Sequence, residues 1–341
     1  MQELRNRTPY PIAVVPFLGK DGRGLGTAIV KGTFDLAGGG ETPPRADEQL
    51  PIAYADEYFE DEEAPASIRS AGDAVPLKPG TDVALVGHAY SPGGKTKTLD
   101  VQLQAGPLQQ TIRVFGARAW YRALGSWKIS APLPFDRMPL RYEFAFGGTD
   151  TRDADPAKHG RDPRNPVGMG FSFDGGKSDV DGLRLPNLEH PAAPIKSPSD
   201  RPPVCGFGFI SCQWEPRVRY AGTYDEEWEG TRNPLLPEDF DDRFYNAAHS
   251  GLVATPHLSG GEPFRLINAS KEGDLRFNLP NKRISVTVVM KDRSQTHPSV
   301  LDTVVVEPDE QRLTLTWRAT FDCGHDLTTI DSVEVQEEAV S

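Results

Sequence analysis

From Pro132 to Gly251 nearly every short apolar piece is closed by Pro, Gly, Asn or Asp, and this punctuation limits what the chain can fold into. The text runs Met138-Pro-Leu-Arg-Tyr-Glu-Phe-Ala-Phe-Gly-Gly148, Asn165-Pro-Val-Gly-Met-Gly170, Leu185-Pro-Asn-Leu-Glu-His-Pro191 and Cys205-Gly-Phe-Gly-Phe-Ile210. It continues with Trp214-Glu-Pro-Arg217, Gly222-Thr-Tyr-Asp-Glu-Glu-Trp228 and Pro234-Leu-Leu-Pro-Glu-Asp-Phe-Asp241. These closing residues fix or permit turn dihedrals, so no amphipathic period survives long enough for a core helix. A disordered linker would be poor in aromatics, whereas this stretch is studded with Phe, Tyr and Trp. It therefore reads as ordered, irregular structure pinned by aromatic anchors, and long ordered loops usually carry function.

The rest of the chain reads as strands. With 33 glycines and 31 prolines among 341 residues, Gly and Pro exceed their usual combined share of roughly 12%, and no Gly-X-Y period accompanies them. Pro11–Phe17 and Ala28–Leu36 are Val-, Ile- and Phe-rich pieces joined by turn text at Gly19–Gly26. Asp82–Tyr90, Thr98–Ala105 and Gln110–Arg118 read as a β-meander that Trp127–Leu133 can continue. After Gly261 come Phe264–Ala269, Leu275–Leu279, Ile284–Lys291, Thr303–Glu307 and Leu313–Phe321, with Glu307-Pro-Asp-Glu-Gln311 as a hairpin turn. Leu313, Leu315 and Trp317 alternate there with Thr314, Thr316 and Arg318. The acidic, Pro-rich stretch Gly38–Glu63 reads as surface loop, Glu238–Ala248 as the best helix, and Asp331–Ser341 as a frayed acidic tail.

The fold expected is all-β: an antiparallel sandwich or barrel-like core with a long loop-rich, slightly helical insertion. Its regions are an N-terminal β region (1–131), a loop-rich middle (132–260) and a C-terminal β region (261–335) packing on the first. The two terminal strand sets share one core on this reading. Gly147 and Gly148 end the alternating piece Tyr142–Phe146, so at least one is expected at positive φ or beside a close backbone neighbour.

Composition and motifs exclude more chemistry than they suggest. A net charge of −12 disfavours a general phosphate-backbone binder. The N-terminus lacks the apolar stretch of a signal peptide, and no run reaches the ~20 apolar residues of a membrane span. The expected protein is soluble and cytoplasmic, without nucleic-acid or membrane partners. Cys205, Cys212 and Cys323 make no disulfide framework and read as thiols in a reducing compartment. Gly22-Arg-Gly-Leu-Gly26 and Gly168-Met-Gly170 lack the strand–helix context of a phosphate cradle, and no cofactor is expected.

The seven histidines never stand at two-ligand spacing, and Cys323-Gly-His325 lacks a third ligand. The runs Asp150, Asp153, Asp155 and Asp174, Asp179, Asp181 lack EF-hand spacing and read as turn acids. Ser126, Ser211 and Ser250 are not in nucleophile elbows. Neither a metal site nor catalytic residues are expected. The alternatives are a glycosidase-like hydrolase on a β scaffold, using two of Glu143, Glu189, Glu215, Asp225, Glu226, Glu227 and Asp239, and a bare structural or scaffold protein.

The motif series is similar to a bacterial family, number 2169 among the domains of unknown function. That family is associated with type VI secretion loci, and its studied members act as effector-specific adaptors or chaperones. The likeness spans roughly residues 8–281. It begins with Thr8-Pro and Val30-Lys-Gly-Thr-Phe34, then Lys78-Pro-Gly-Thr-Asp-Val-Ala-Leu-Val-Gly-His-Ala89 and Pro134-Phe-Asp-Arg-Met-Pro-Leu-Arg-Tyr-Glu-Phe-Ala-Phe-Gly-Gly148. It continues through the middle motifs above and ends at Phe277-Asn-Leu-Pro280. Two stretches depart from the family text: Ala117 before Arg118-Ala-Trp120, and Asn246-Ala-Ala-His-Ser-Gly251. The resemblance implies a non-enzymatic intermediary that binds a toxic effector and helps load it onto the spike, the VgrG trimer with its PAAR tip.

The residues expected to bind that partner lie between Trp214 and Phe244. Trp214, Arg217, Tyr220, Tyr224, Trp228, Arg232, Phe240 and Phe244 concentrate the residue types of interface hot spots. Asp225, Glu226, Glu227, Glu229, Glu238 and Asp239 would give them a negative rim that steers a basic partner. The competing reading makes the same aromatics buried loop anchors.

Overall fold

The computed structural model describes residues 3–38, 40–59, 66–291, 293–324, 328 and 330–338. The protein is all-β: strands form its sheets, and the helical pieces between them are short. A six-stranded sheet joins both ends of the chain. Its order is Val253–Ala254, Thr81–Leu85, Val300–Glu307, Arg312–Gly324, Gly24–Asp35 and Ile12–Leu18. The two longest strands, Gly24–Asp35 and Arg312–Gly324, are neighbours and run antiparallel, with Val30 opposite Trp317 and Phe34 opposite Leu313. Thr81–Leu85 lies parallel to Val300–Glu307.

A five-stranded sheet contains the hairpins Thr98–Ala105/Leu108–Phe115 and Pro263–Ile267/Asp274–Asn278, with Leu188–Glu189 at its edge. A four-stranded sheet contains Glu3–Arg7, Ile330–Glu338, Arg283–Met290 and Arg293–Pro298. The three sheets turn their apolar faces into one core, where Val30, Phe34, Leu315 and Trp317 meet Leu103, Val114, Phe264, Val286 and Val335. Such burial is the main favourable term in folding.

Several sequence expectations are corrected. The stretch 82–118 is not one meander: its first strand enters the six-stranded sheet, and the other two form a hairpin in the five-stranded one. Ser126–Ile129 pairs with Trp120–Ala123 in a separate hairpin rather than continuing that sheet. The acidic tail is ordered as far as Glu338, because Ile330, Val333 and Val335 are buried while Glu334 and Glu337 pair outward with Arg7 and Lys282. Residues 339–341 and His325, the partner of Cys323 in the Cys/His reading, lie outside the described residues, as do 39 and 60–63 of the expected surface loop.

The second face of the six-stranded sheet explains the middle region. Thr33, Lys31, Asp82, Thr303, Thr316 and Arg318 point away from the apolar core, yet all are buried. Irregular chain covers them and partners most of their polar groups; Arg318 Nη2 has no partner among the described residues. Lys31 pairs with Asp73 at 2.8 Å, and Arg318 pairs with Asp302 while donating to the Val75 carbonyl. Lys78 donates to Asp82 and Thr303. Asp82 also receives the Asn246 amide and the Ala247 N–H, both at 2.8 Å.

This last attachment explains why Glu238–Ala248 is not a helix. Its only helical turn is Asp242–Tyr245, a short 3-10 piece, and extended Asn246 and Ala247 are drawn onto Asp82. The one α-helix in the described residues, Glu226–Thr231, was not expected; the Asp225 carboxylate caps it by accepting the Trp228 N–H.

The motifs of the middle region close on one another. Asn165, fully buried, donates its side-chain amide to the carbonyls of Tyr142 (2.8 Å) and Phe146 (3.1 Å). Gly147 and Gly148 sit at φ +145° and +110°, and a Cβ on either would meet the Asn165 or Gly168 carbonyl at 2.2 or 2.5 Å. Both glycines thus meet the expectation of positive φ and close backbone approach. Gly206 passes just as closely to the Tyr142 ring, which also meets Trp214 edge-on.

Candidate functional site

The segment 214–245 divides into anchors and a surface. Trp214, Arg217 and Phe240 are buried, so on the isolated chain they hold the segment and cannot present a hot spot. The Arg217 guanidinium donates to the carbonyls of Ile210 and Phe244, and burial pulls its pKa below the ordinary value. Phe240 packs against Phe244 and Tyr245, with ring centroids 5.6 and 5.3 Å away.

The other five candidates reach solvent. Tyr224 is 53% exposed, and its ring stands 4.7 Å from the half-buried Trp228 indole, tilted 69°. The half-buried Trp228 indole is held in place by its N–H, which donates to the Leu235 carbonyl at 2.8 Å. Tyr220 lies half-buried beneath the Arg243 guanidinium, 4.4 Å from its ring centroid. Phe244, also half-buried, has Arg217 over its ring.

Arg232 ties this surface to the N-terminal hairpin. It donates to the carbonyls of Leu236 (3.0 Å) and Lys20 (2.9 Å), while the Lys20 ammonium donates to the Phe240 carbonyl (3.0 Å). Between hairpin and segment lies a groove of about 720 Å³ with Leu18, Leu25, Leu77, Leu236 and Tyr245 in its wall. Leu18 is 48% exposed there. Burial pushes the Tyr245 hydroxyl up to about 12, so it stays protonated at neutral pH.

Sequence reasoning missed Leu18, Lys20, Leu25 and Leu77. No local signal could have found them, because they stand some two hundred residues or about one hundred and sixty from the segment they face.

The acids of the segment do two different jobs. Asp225 caps the helix, and Asp239 accepts from the Thr223 N–H and hydroxyl, which hold its carboxyl below the usual range. Of the acids expected at the rim, Glu226, Glu227, Glu229 and Glu238 are exposed, as are Asp225 and Asp239, and Glu238 pairs with Arg232 at 3.4 Å.

The remaining candidate carboxylates are engaged in structure. Glu143 accepts from the Ser67 N–H and hydroxyl, Glu189 from Arg118 and the Ile195 N–H, and Glu215 pairs with Arg219 at 2.7 Å. Asp150, Asp153 and Asp174 are likewise held in turn and Arg or Lys bonds that lower their carboxyls. Among the described residues no cluster of three or more His, Cys, Asp or Glu side chains could hold a metal ion. Cys205 and Cys212 carry free thiols, and burial pushes the Cys205 thiol up to about 12, which makes it a poor nucleophile. No described helix is long and apolar enough to cross a membrane.

No curated protein and no solved structure shows a significant match to this chain. Residues 21–318 match a family described as "Uncharacterized protein conserved in bacteria (DUF2169)". That match runs past Asn281, where the motif series stops, and takes in the strands that complete the six-stranded sheet. Spanning most of the sequence, it means that the chain belongs to this bacterial family, DUF2169.

Proposed function

We propose that this protein is a non-enzymatic adaptor or chaperone of the producing cell's cytoplasm. It binds a secreted effector and helps load it onto the VgrG/PAAR spike of a type VI secretion system. The secretion assignment follows from the motif resemblance. The observation that supports the binding role is one segment that presents Tyr220, the Tyr224–Trp228 pair and Arg232 to solvent, with Arg232 lining a groove of mixed apolar and charged residues. Aromatic and Arg side chains held half-buried on a rigid support are the residues from which interfaces draw most of their energy. The acidic rim suits a partner with a basic surface.

The hydrolase alternative has no such support. A glycosidase acid needs a carboxyl raised above its ordinary value, whereas each described carboxyl with a displaced proton affinity is displaced downward.

The test is affinity capture of the full chain from its own host, with mass spectrometry and clean deletion of the gene. Co-purification of one effector with a spike component, and loss of that effector's export on deletion, is the expected result. Unchanged export after deletion would overturn the proposal.

A further inference from the structure

The hairpin of Trp120–Ala123 and Ser126–Ile129 closes in a two-residue turn, Leu124-Gly125, with φ of +49° and +77°. Positive φ at both central residues is the type I′ geometry, which Asn-Gly fills best. Leu124 is held in the left-handed region that an L side chain disfavours, and that side chain is fully exposed. A lone exposed leucine is ordinary. One that also takes the turn position suited to Asn serves neither the hairpin nor its solubility, and such outliers gather where something binds.

The hairpin behind this tip is firmly seated. Trp120 is buried, and the Trp127 indole N–H donates to the Gly176 carbonyl at 3.3 Å. Tyr121 and Lys128 stand opposite each other and are exposed. Arg122 is exposed as well, and neither it nor Lys128 forms an ion pair with any described residue. The neighbouring carboxylates are engaged with backbone: Asp181 accepts the Arg122 N–H, and Asp179 accepts the Asp181 N–H. The hairpin thus offers an apolar tip followed by unpaired cations.

Its complement is an apolar recess with acids at the mouth. The groove beside Arg232 has Leu18, Leu25, Leu77 and Leu236 in its wall, together with Asp21, Glu238 and Asp242. The cations of the groove are engaged, Lys20 with the Phe240 carbonyl and Arg232 with the carbonyls of Leu236 and Lys20. Asp242 is exposed and pairs with no described cation. At about 720 Å³ the groove has room for a leucine side chain and the turn that carries it. The cavity of about 310 Å³ beside Tyr142 is apolar too, with Val204 and Ile210 in its wall, but it sets Arg164 and Arg219 against one acid, Glu215. That sign of charge suits a basic hairpin less well.

We propose that the Leu124 hairpin of one copy of this chain inserts into the groove beside Arg232 of a second copy, with Arg122 and Lys128 facing that copy's Glu238 and Asp242. Tip and groove are different surfaces, so the contact is heterologous, and each added copy leaves one tip and one groove open. The contact is between copies of this chain and is measured with no effector present, so it stands or falls apart from the adaptor reading.

The experiment is analytical ultracentrifugation of the full chain alone. A contact this small gives a dissociation constant on the order of 10–100 µM. Mass is expected to rise with concentration past that of a dimer, and to fall back as salt screens the exposed charges. Leu124→Asn suits the turn better than leucine, so it should keep or raise the melting point while weakening association about tenfold or more. Leu18→Gln changes a half-exposed residue of the groove and should weaken association as much, with a melting curve near wild type. Should it melt early, the exposed Asp242→Lys takes its place.

Mixed in equal amounts, the two leucine variants should form a dimer that grows no further. Only the Leu18→Gln chain keeps a tip there, and only the Leu124→Asn chain keeps a groove. A chain that stays monomeric at every concentration, association unchanged by Leu124→Asn or by the groove variant, or a mixture that remains monomeric would each overturn the proposal.

Discussion

Lys78 and Asp82 form an ion pair at 2.8 Å in which the two side chains are 3% and 0% exposed. Asp82 belongs to a strand of the six-stranded sheet, and its remaining acceptor capacity is filled by Asn246 and Ala247 of the covering chain. One carboxylate thus joins the sheet to the irregular region and to the Lys78 loop. Removing it strands a buried ammonium and two buried N–H donors, which costs far more than the pair itself is worth. Asp82→Ala is expected to destabilise by ~3–5 kcal/mol, read as a shifted urea midpoint. A midpoint within error of wild type would show that the attachment is dispensable.

Gly148 gives a backbone test of the same region. Its φ of +110° and the 2.5 Å approach of the Gly168 carbonyl to an added Cβ exclude a side chain without local movement. Gly148→Val is expected to cost roughly 1–3 kcal/mol, measured by thermal or urea unfolding. An unchanged thermal midpoint would refute the steric argument.

The pH dependence has a sign set by buried histidine. His249 is neutral in the fold: burial, its largest influence, lowers its pKa, while the hydrogen bond to the Val204 carbonyl opposes this. Burial lowers His88 and His297 as well. A folded-state pKa below the unfolded one means that the unfolded chain binds more protons. Stability is therefore full above the unfolded value of roughly 6.5 and is lost as pH falls toward the folded value. The lowered carboxyls act in the same direction but only below about pH 4–5. Resistance to denaturant should fall steadily from pH 7 to pH 5, and His249→Gln should make that slope shallower. An identical slope in the variant would remove His249 from the account.

How much of this was legible in the sequence depends on whether the deciding contact was local. The Leu313, Leu315, Trp317 alternation gave a strand, and Gly147-Gly148 gave its positive φ, because period and turn chemistry are local properties. The alternation says nothing of what covers Thr314, Thr316 and Arg318, which are buried; Asp73 and Val75, more than two hundred positions away, bond to Thr316 and Arg318. Asp331–Ser341 reads as a tail because it is acidic and terminal, and only pairing with Arg283–Met290 and Glu3–Arg7 makes Ile330–Glu338 a strand. In the candidate site, residue type located the segment but could not tell Trp214 from Trp228. The first meets Tyr142 in the core and the second meets Tyr224 at the surface, and composition contains no burial.

That distinction yields the sharpest test of the binding surface. Tyr224 is exposed and donates no hydrogen bond to the described chain, so Tyr224→Ala should leave stability within about 0.5 kcal/mol of wild type. Were the strip an interface, the same change should weaken partner capture by ~1–2 kcal/mol or more. Trp228→Ala combined with Arg232→Ala cuts deeper, because these side chains also tie Leu235, Leu236 and Lys20 together. It should abolish capture while lowering the melting point moderately. Replacing Glu226, Glu227 and Glu229 with Gln should act differently again, slowing association with a basic partner and flattening its salt dependence while dissociation stays nearly constant. Capture that survives Tyr224→Ala and the double variant, with folding intact, would move the partner to another face of the molecule.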